Sequence, residues 1–178
     1  AEMFPKMIES CRKVWHNDDL PFYFVQLASF LEPVGIQPES PWAALRKAQT
    51  AALDLPRTGM VVATDIGNAT DIHPKQKQEV AERFTRLALN NDYGRKCTDT
   101  APVAVSACQS KKGIYIRFSA EVAFDNGKGF VAHLSDGSYR IVTPVSAKGK
   151  KLLLDPCGAG EITEMLYNWA DYGQGLLR

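Results

Sequence analysis

Long apolar runs, paired cysteines and net charge are all scarce in this chain, and each scarcity narrows what the protein can be. No stretch approaches the ~20 apolar residues of a spanning helix, so no membrane partner is expected. The start, Ala1-Glu2-Met3-Phe4-Pro5, has neither a basic region nor a long apolar core and does not read as a signal peptide. The four cysteines (Cys11, Cys97, Cys108 and Cys157) form no CxxC pair. That argues against thiolate metal binding and makes a disulfide framework unnecessary, with a single bond between Cys108 and Cys157 left open. A formal net charge of +1 supplies no long-range attraction for nucleic acid, and no nucleic-acid partner is expected. The basic cluster Lys148, Lys150 and Lys151 flanks Gly149 and reads as a solvated hairpin turn. One further lack matters most for chemistry: no serine sits in a recognisable nucleophile motif.

What is present suits a globular chain. Its 178 residues, 45% hydrophobic and 23% charged, have room for one large domain or two small ones. The first half alternates helix and strand. Phe4, Met7, Ile8, Cys11, Val14 and Trp15 share one face of a helix over residues 4–15. Phe22 to Ala28 is almost continuously apolar, as in a strand buried on both faces. After a loop with Pro33, Gly35 and Pro38, Ser40 reads as an N-cap and Pro41 as the first position of a helix running to about Leu55. Gln49 is expected to face the sheet and to serve a structural hydrogen bond. Met60 to Thr64 reads as a second buried strand, and Pro74 as the start of another helix. That helix places Ala81, Phe84, Leu87 and Ala88 inward, and Glu79–Arg83 and Glu82–Arg86 outward as i,i+4 pairs.

Beyond Asn90-Asn91-Asp92-Tyr93-Gly94 the pattern changes to short alternating strands. Ile114, Ile116 and Phe118 form one alternating set; Phe130, Ala132 and Leu134 form another. Asp136-Gly137 and Lys148-Gly149 are hairpin signals. These readings predict an α/β first part over residues 1–94 and a small antiparallel β-sandwich domain over 98–178.

His73 draws the functional reading. It lies in Thr64-Asp65-Ile66-Gly67-Asn68-Ala69-Thr70-Asp71-Ile72-His73-Pro74, a loop leaving the carboxyl end of a predicted parallel strand, the edge where active sites of such sheets lie. Neutral imidazole can take a serine proton near pH 7, and a carboxylate on its other nitrogen, such as Asp71, holds the tautomer. His16 beside Asp18 and Asp19 could suggest a metal, but the trio reads as a solvated loop. No metal is assigned. Tyr167, Trp169 and Tyr172 could stack on a sugar, although core and edge packing is the simpler expectation.

Several motifs in order resemble the sialate O-acetylesterases, carbohydrate esterases of the SGNH hydrolase superfamily. They are Leu20-Pro21-Phe22-Tyr23-Phe24-Val25-Gln26-Leu27-Ala28, then Trp42-Ala43-Ala44-Leu45-Arg46-Lys47-Ala48-Gln49, then Asp65 through Lys77. Leu166-Tyr167-Asn168-Trp169-Ala170-Asp171 and Gly175-Leu176 resemble the family's C-terminal β-domain. The likeness spans nearly the whole chain and is strongest through Tyr93. It implies the C-terminal portion of an SGNH-type three-layer parallel sheet, followed by the β-sandwich. It implies a serine hydrolase that removes acetyl groups from an O-acetylated sugar (sialic acid or another glycan), without a cofactor, in the periplasm or outside the cell. Histidine transfers to His73. The superfamily's acid stands three residues earlier, where this chain has Thr70; Asp71 is the first candidate, Asp65 the alternative, and a dyad without an acid stays open.

The family's serine motifs, Gly-Gln-Ser-Asn and Gly-Glu-Ser-Asn, do not occur in the chain. The expectation is therefore a fragment, or one chain of a split enzyme, beginning just after the second motif. It would need an upstream serine-bearing region or chain, and its open sheet edge would favour self-association. The alternative is a noncatalytic carbohydrate-binding or structural fragment.

Overall fold

A computed structural model describes residues 2–155, 158 and 160–177. Cys157, and with it the Cys108–Cys157 bond left open above, lies outside the described residues. Two compact units form. The first comprises Ala1–Leu31 and Pro41–Thr100; the second comprises Glu32–Ser40 and Ala101–Arg178.

The first unit contains helix α1 (Met3–Val14), strand β1 (Phe22–Val25), helix α2 (Pro41–Thr50), strand β2 (Thr58–Val61) and helix α3 (Lys77–Asn91). β1 and β2 pair in parallel, with Phe22 opposite Thr58 and Val25 opposite Val61. A cluster of Ile8, Phe24 and Ala52, joined by Phe4, Phe22, Leu55 and Met60, packs α1 against this pair.

The apolar stripe expected on α1 is only partly used. Ile8 is fully buried, but Val14 and Trp15 are 76% and 72% exposed. Arg12, 4% exposed, takes the inward position instead. Its guanidinium donates to the carbonyls of Leu20, Pro56 and Arg57 and to the Thr58 hydroxyl. These bonds satisfy carbonyls in both segments that lead into the parallel strands, which apolar periodicity alone could not reveal.

Both strands are shorter than the apolar runs suggested. β1 ends at Val25 rather than Ala28, because the ladder gives out at the end of β2. Gln26 N–H still reaches the Val61 carbonyl, at 2.8 Å. The next amide, Leu27, donates instead to Gln49 Oε1 at 2.9 Å, and Gln49 Nε2 reaches the Val25 carbonyl at 3.4 Å. The structural role expected for Gln49 is thus a continuation of the ladder by a side-chain amide. α3 starts at Lys77 rather than Pro74; residues 68–73 form side-chain-bonded turns before it, and the Lys77 N–H donates to the Lys75 carbonyl. Leu87 is its buried residue, while Ala81, expected inward, is exposed.

In the second unit, strands β3 (Ala104–Ser110), β4 (Gly113–Phe118), β5 (Phe130–Leu134), β6 (Tyr139–Val142), β7 (Pro144–Lys148), β8 (Lys151–Leu154) and β9 (Ile162–Tyr167) form two antiparallel sheets. Their orders are β3-β4-β8-β7 and β6-β5-β9. Side chains of both sheets share one core, including Ile114, Ile116, Phe118, Phe130, Ala132, Leu134, Val142, Leu152 and Leu154. The alternation read in the sequence puts Ile114, Ile116, Phe118, Phe130, Ala132 and Leu134 inside. Val131 is the exception: its face is opposite, yet it is 7% exposed. Segment 32–40 lies against that outer face, so close that a Cβ on Gly35 would stand 3.1 Å from Ile141 Cδ1 on the neighbouring strand. Both hairpin signals mark real turns, β5–β6 at Gly137 (φ +83°) and β7–β8 at Gly149 (φ +55°).

At the amino ends of the parallel strands, the Tyr23 hydroxyl donates to Asp92 Oδ2 at 2.6 Å, and Arg57 pairs with Asp92 Oδ1 at 2.9 Å. Burial first, and the bond to Asp92 second, push the Tyr23 phenol up to about 12. A phenol whose pKa is raised on folding contributes stability that is complete below its ordinary ~10 and is lost as pH climbs toward the folded value. Tyr23→Phe should lower stability at pH 7 by about 1 kcal/mol, a hydrogen bond discounted for its exposure. The difference between variant and wild type should shrink between pH 10 and 12 in urea titrations; a pH-independent difference would rule the bond out as its source.

Candidate active site

The segment between β2 and α3 carries the sequence-predicted chemistry, and its path is set from its first residues. Ala63 and Ile66 are 1% and 6% exposed and pack with Ala28, Val25 and Val80. Residues 64–66 make one 3-10 turn. Gly67 then passes directly over the backbone of Ser29, in the segment following β1. A Cβ at Gly67 would overlap the Ser29 carbonyl oxygen and lie 2.7 Å from its nitrogen. The Gly67 φ of −68° is open to any residue, so glycine is needed here for the close approach and not for its conformational freedom. Asn68 N–H donates to the Ser29 carbonyl at 3.2 Å, completing the junction.

Two short polar side chains then fold the loop on itself. Asn68 Oδ1 accepts from Thr70 N–H at 2.8 Å, the Thr70 hydroxyl at 3.0 Å and Asp71 N–H at 3.1 Å. Asp71 Oδ1 accepts from His73 N–H at 2.9 Å. These Asx-type turns hold the segment before Pro74 in a fixed non-helical path.

His73 and Asp71 are brought together. His73 Nδ1 stands 3.4 Å from Asp71 Oδ1, with the imidazole 83% and the carboxylate 43% exposed. The backbone N–H of His73, then its side chain and the charge of Lys75, hold the Asp71 carboxyl below its usual range. The ionised Asp71 therefore supports the loop above the ordinary carboxylate pKa, and that support is lost as pH falls through the lowered value. With Asp71 facing Nδ1, a proton on Nδ1 leaves the Nε2 lone pair free to accept one, the tautomer a general base needs.

Asp65 is placed differently. Both of its oxygens are engaged by Arg83, Oδ1 by one terminal nitrogen at 2.8 Å and Oδ2 by the other at 2.6 Å. Arg83 was expected on the solvent face of α3 in a pair with Glu79. That bond forms at 2.9 Å, but the guanidinium also turns inward to Asp65 and to the Val62 carbonyl at 2.6 Å. Asp65 and Glu79 together hold the guanidinium above its ordinary range, Asp65 foremost. Sequence reasoning missed this contact because i,i+4 spacing describes only the partner on the same helix.

The other candidates are accounted for locally. Among the described residues no group of three or more His, Cys, Asp or Glu is arranged to hold a metal. Ser138, the serine beside the Asp136-Gly137 turn, donates its hydroxyl to Asp136 at 2.6 Å. Tyr167 packs on Phe130 with ring centroids 4.7 Å apart and accepts the Leu177 N–H; Trp169 Nε1 donates to the Pro38 carbonyl. These two aromatic side chains are engaged in packing their own unit.

No family model matches the sequence, and no curated protein does. Among solved structures, a carbohydrate acetylesterase from Xanthomonas citri matches with a TM-score of 0.84 and 30% identity over 98% of this chain. The chain is similar to part of a carbohydrate acetylesterase. It spans 42% of that protein's length. The fold described above is accordingly the mixed α/β and antiparallel arrangement found within such an esterase.

The Gly67–Ser29 junction yields a test. Gly67→Ala should displace the whole Asp65 to His73 loop, because the obstacle is backbone and cannot rotate away. A loss of about 1–3 kcal/mol is expected from such overpacking, together with large amide shifts from Asn68 to His73 in ¹⁵N-correlated spectra. Unchanged shifts in that segment would show that the loop is not held at Ser29.

Proposed function

We propose that this chain is the C-terminal part of a carbohydrate O-acetylesterase, a serine hydrolase in which His73 is the general base and Asp71 orients it. One observation carries the reading: the match to the Xanthomonas citri acetylesterase extends over nearly the whole chain at 30% identity. The Asp71–His73 pair beyond β2 supports it, as do the motifs that resemble the sialate O-acetylesterases of the SGNH superfamily. Within that class we favour sialate 9-O-acetyl esters as substrates and a periplasmic or extracellular location.

In the proposed reaction a serine supplied by an upstream region or a separate chain attacks the acetyl carbonyl. Nε2 of His73 accepts the serine proton, and Asp71 stabilises the imidazolium through Nδ1–H. The imidazolium then protonates the departing sugar oxygen, leaving an acetyl-serine. Water attacks that ester as His73 takes its proton, and acetate leaves as the proton returns to serine. No step requires a metal or cofactor. Without the serine-bearing region the open edge of the parallel sheet would favour self-association.

The second reading, a noncatalytic carbohydrate-binding or structural part, is favoured by the 83% exposure of the His73 side chain. Kinetics separate the two. The chain alone should not hydrolyse aryl acetates above a buffer control. With a serine-bearing region restored, His73→Ala should abolish nearly all turnover, and Asp71→Asn should lower kcat by about 10²–10⁴-fold with KM little changed. Asp65→Asn should cost less. Wild-type turnover by His73→Ala would reject the esterase reading; a crippled Asp65→Asn beside a normal Asp71→Asn would exchange the two carboxylates.

A further inference from the structure

We propose that Arg83 is the positioning residue of the His73 loop: its guanidinium clamps the carboxyl end of β2 and the first turn of the loop to α3, and so sets where Asp71 and His73 stand. The importance of this for catalysis rests on reading His73 as the base. The clamp itself is a matter of geometry.

The connection from β2 to α3 has no regular structure beyond one 3-10 turn, and a long connection keeps a single path only where it is tied down. At Gly67 and Asn68 the tie is to backbone, through Ser29. Upstream, the tie is Arg83. Its terminal nitrogens reach the Val62 carbonyl and both Asp65 oxygens, while Nε is held by Glu79, one helical turn earlier. The side chains of Arg83 and Asp65 are 23% and 33% exposed, so the fork is only partly wetted. Two parallel N–H···O bonds fix direction as well as distance, which a lysine ammonium cannot reproduce. The ties act in series: Asp65 fixes the turn that delivers Gly67, Gly67 fixes Asn68, and Asn68 fixes the amides of Thr70 and Asp71. The guanidinium of Arg83 bonds to Val62, Asp65 and Glu79, so its influence on Asp71 and His73 passes through the loop.

The test uses the 178-residue chain itself and reads geometry rather than turnover, so its outcome is independent of whether the protein is an esterase. The probe is the Asp71 carboxyl, followed by ¹³C NMR from pH 2 to 7, together with the His73 backbone amide shift. In Arg83→Gln the Asp71 titration should move upward toward the ordinary carboxylate range and the His73 amide should shift, while the backbone amide shifts of Tyr23 and Asp92, at the other end of the strands, stay in place as a sign of an intact unit. Arg83→Lys keeps the charge and loses the fork; it should show the same displacement. Asp65→Asn, which leaves Arg83 intact, should do so as well. The two single changes, Arg83→Gln and Asp65→Asn, should fail to add when combined. An Asp71 titration unchanged in folded Arg83→Gln would overturn the proposal. So would a wild-type result in Arg83→Lys, which would make the effect one of charge alone. Unfolding of both Arg83→Gln and Asp65→Asn would also overturn it, marking the pair as general stability and not positioning.

Discussion

The first unit depends on how it satisfies backbone polar groups where a very short parallel ladder ends. Only four residue pairs join β1 to β2. Beyond Val25 and Val61 the chain is still partly buried, and an unpaired amide there would cost about 1–3 kcal/mol. Side-chain amides and a glycine crossing take over. Gln49 receives the Leu27 N–H, and Gly67 lies on Ser29 so that Asn68 can donate to the Ser29 carbonyl. The loop bearing Asp71 and His73 starts from that crossing. Chemistry at the strand ends and hydrogen-bond satisfaction are therefore one arrangement.

Charged groups do similar work around the same strands. Arg12 binds carbonyls of the segments entering β1 and β2, and Arg83 binds the carbonyl and carboxylate on the segment leaving β2. Arginine suits both places because one planar group offers several donors in fixed directions. The second unit has its own polar knot. Asp171, 9% exposed, accepts from the Ser40 hydroxyl at 2.6 Å and from Gln37 Nε2 at 2.7 Å, while its N–H donates to Gln37 Oε1. The segment Glu32–Ser40 is thereby tied to the end of the chain, a pairing more than a hundred residues apart in sequence.

Much of this was legible in residue patterns. The alternation of Ile114, Ile116 and Phe118 follows from the two-residue period of a strand with one buried face, and Asp136-Gly137 marked its turn because Gly137 adopts a positive φ. The His73 loop was legible because Asp, Asn, Gly and Pro gather after a short β-branched run. Element ends were less legible. Pro74 is a natural first helical residue, yet α3 begins at Lys77, after turns held by Asn68 and Asp71. Val14 and Trp15 belong to an apolar helical stripe, yet Arg12 holds the inward place because the surrounding carbonyls require a donor.

By itself, the sequence determined the local conformations, the two kinds of architecture and the pairing of Asp71 with His73, since each depends on neighbours a few residues apart. Tertiary structure decided the partners of Arg83, the crossing of Gly67 over Ser29 and the attachment of residues 32–40 to Asp171. Those contacts join positions far apart in the chain, and their acceptors become visible only when separate segments have been folded against one another.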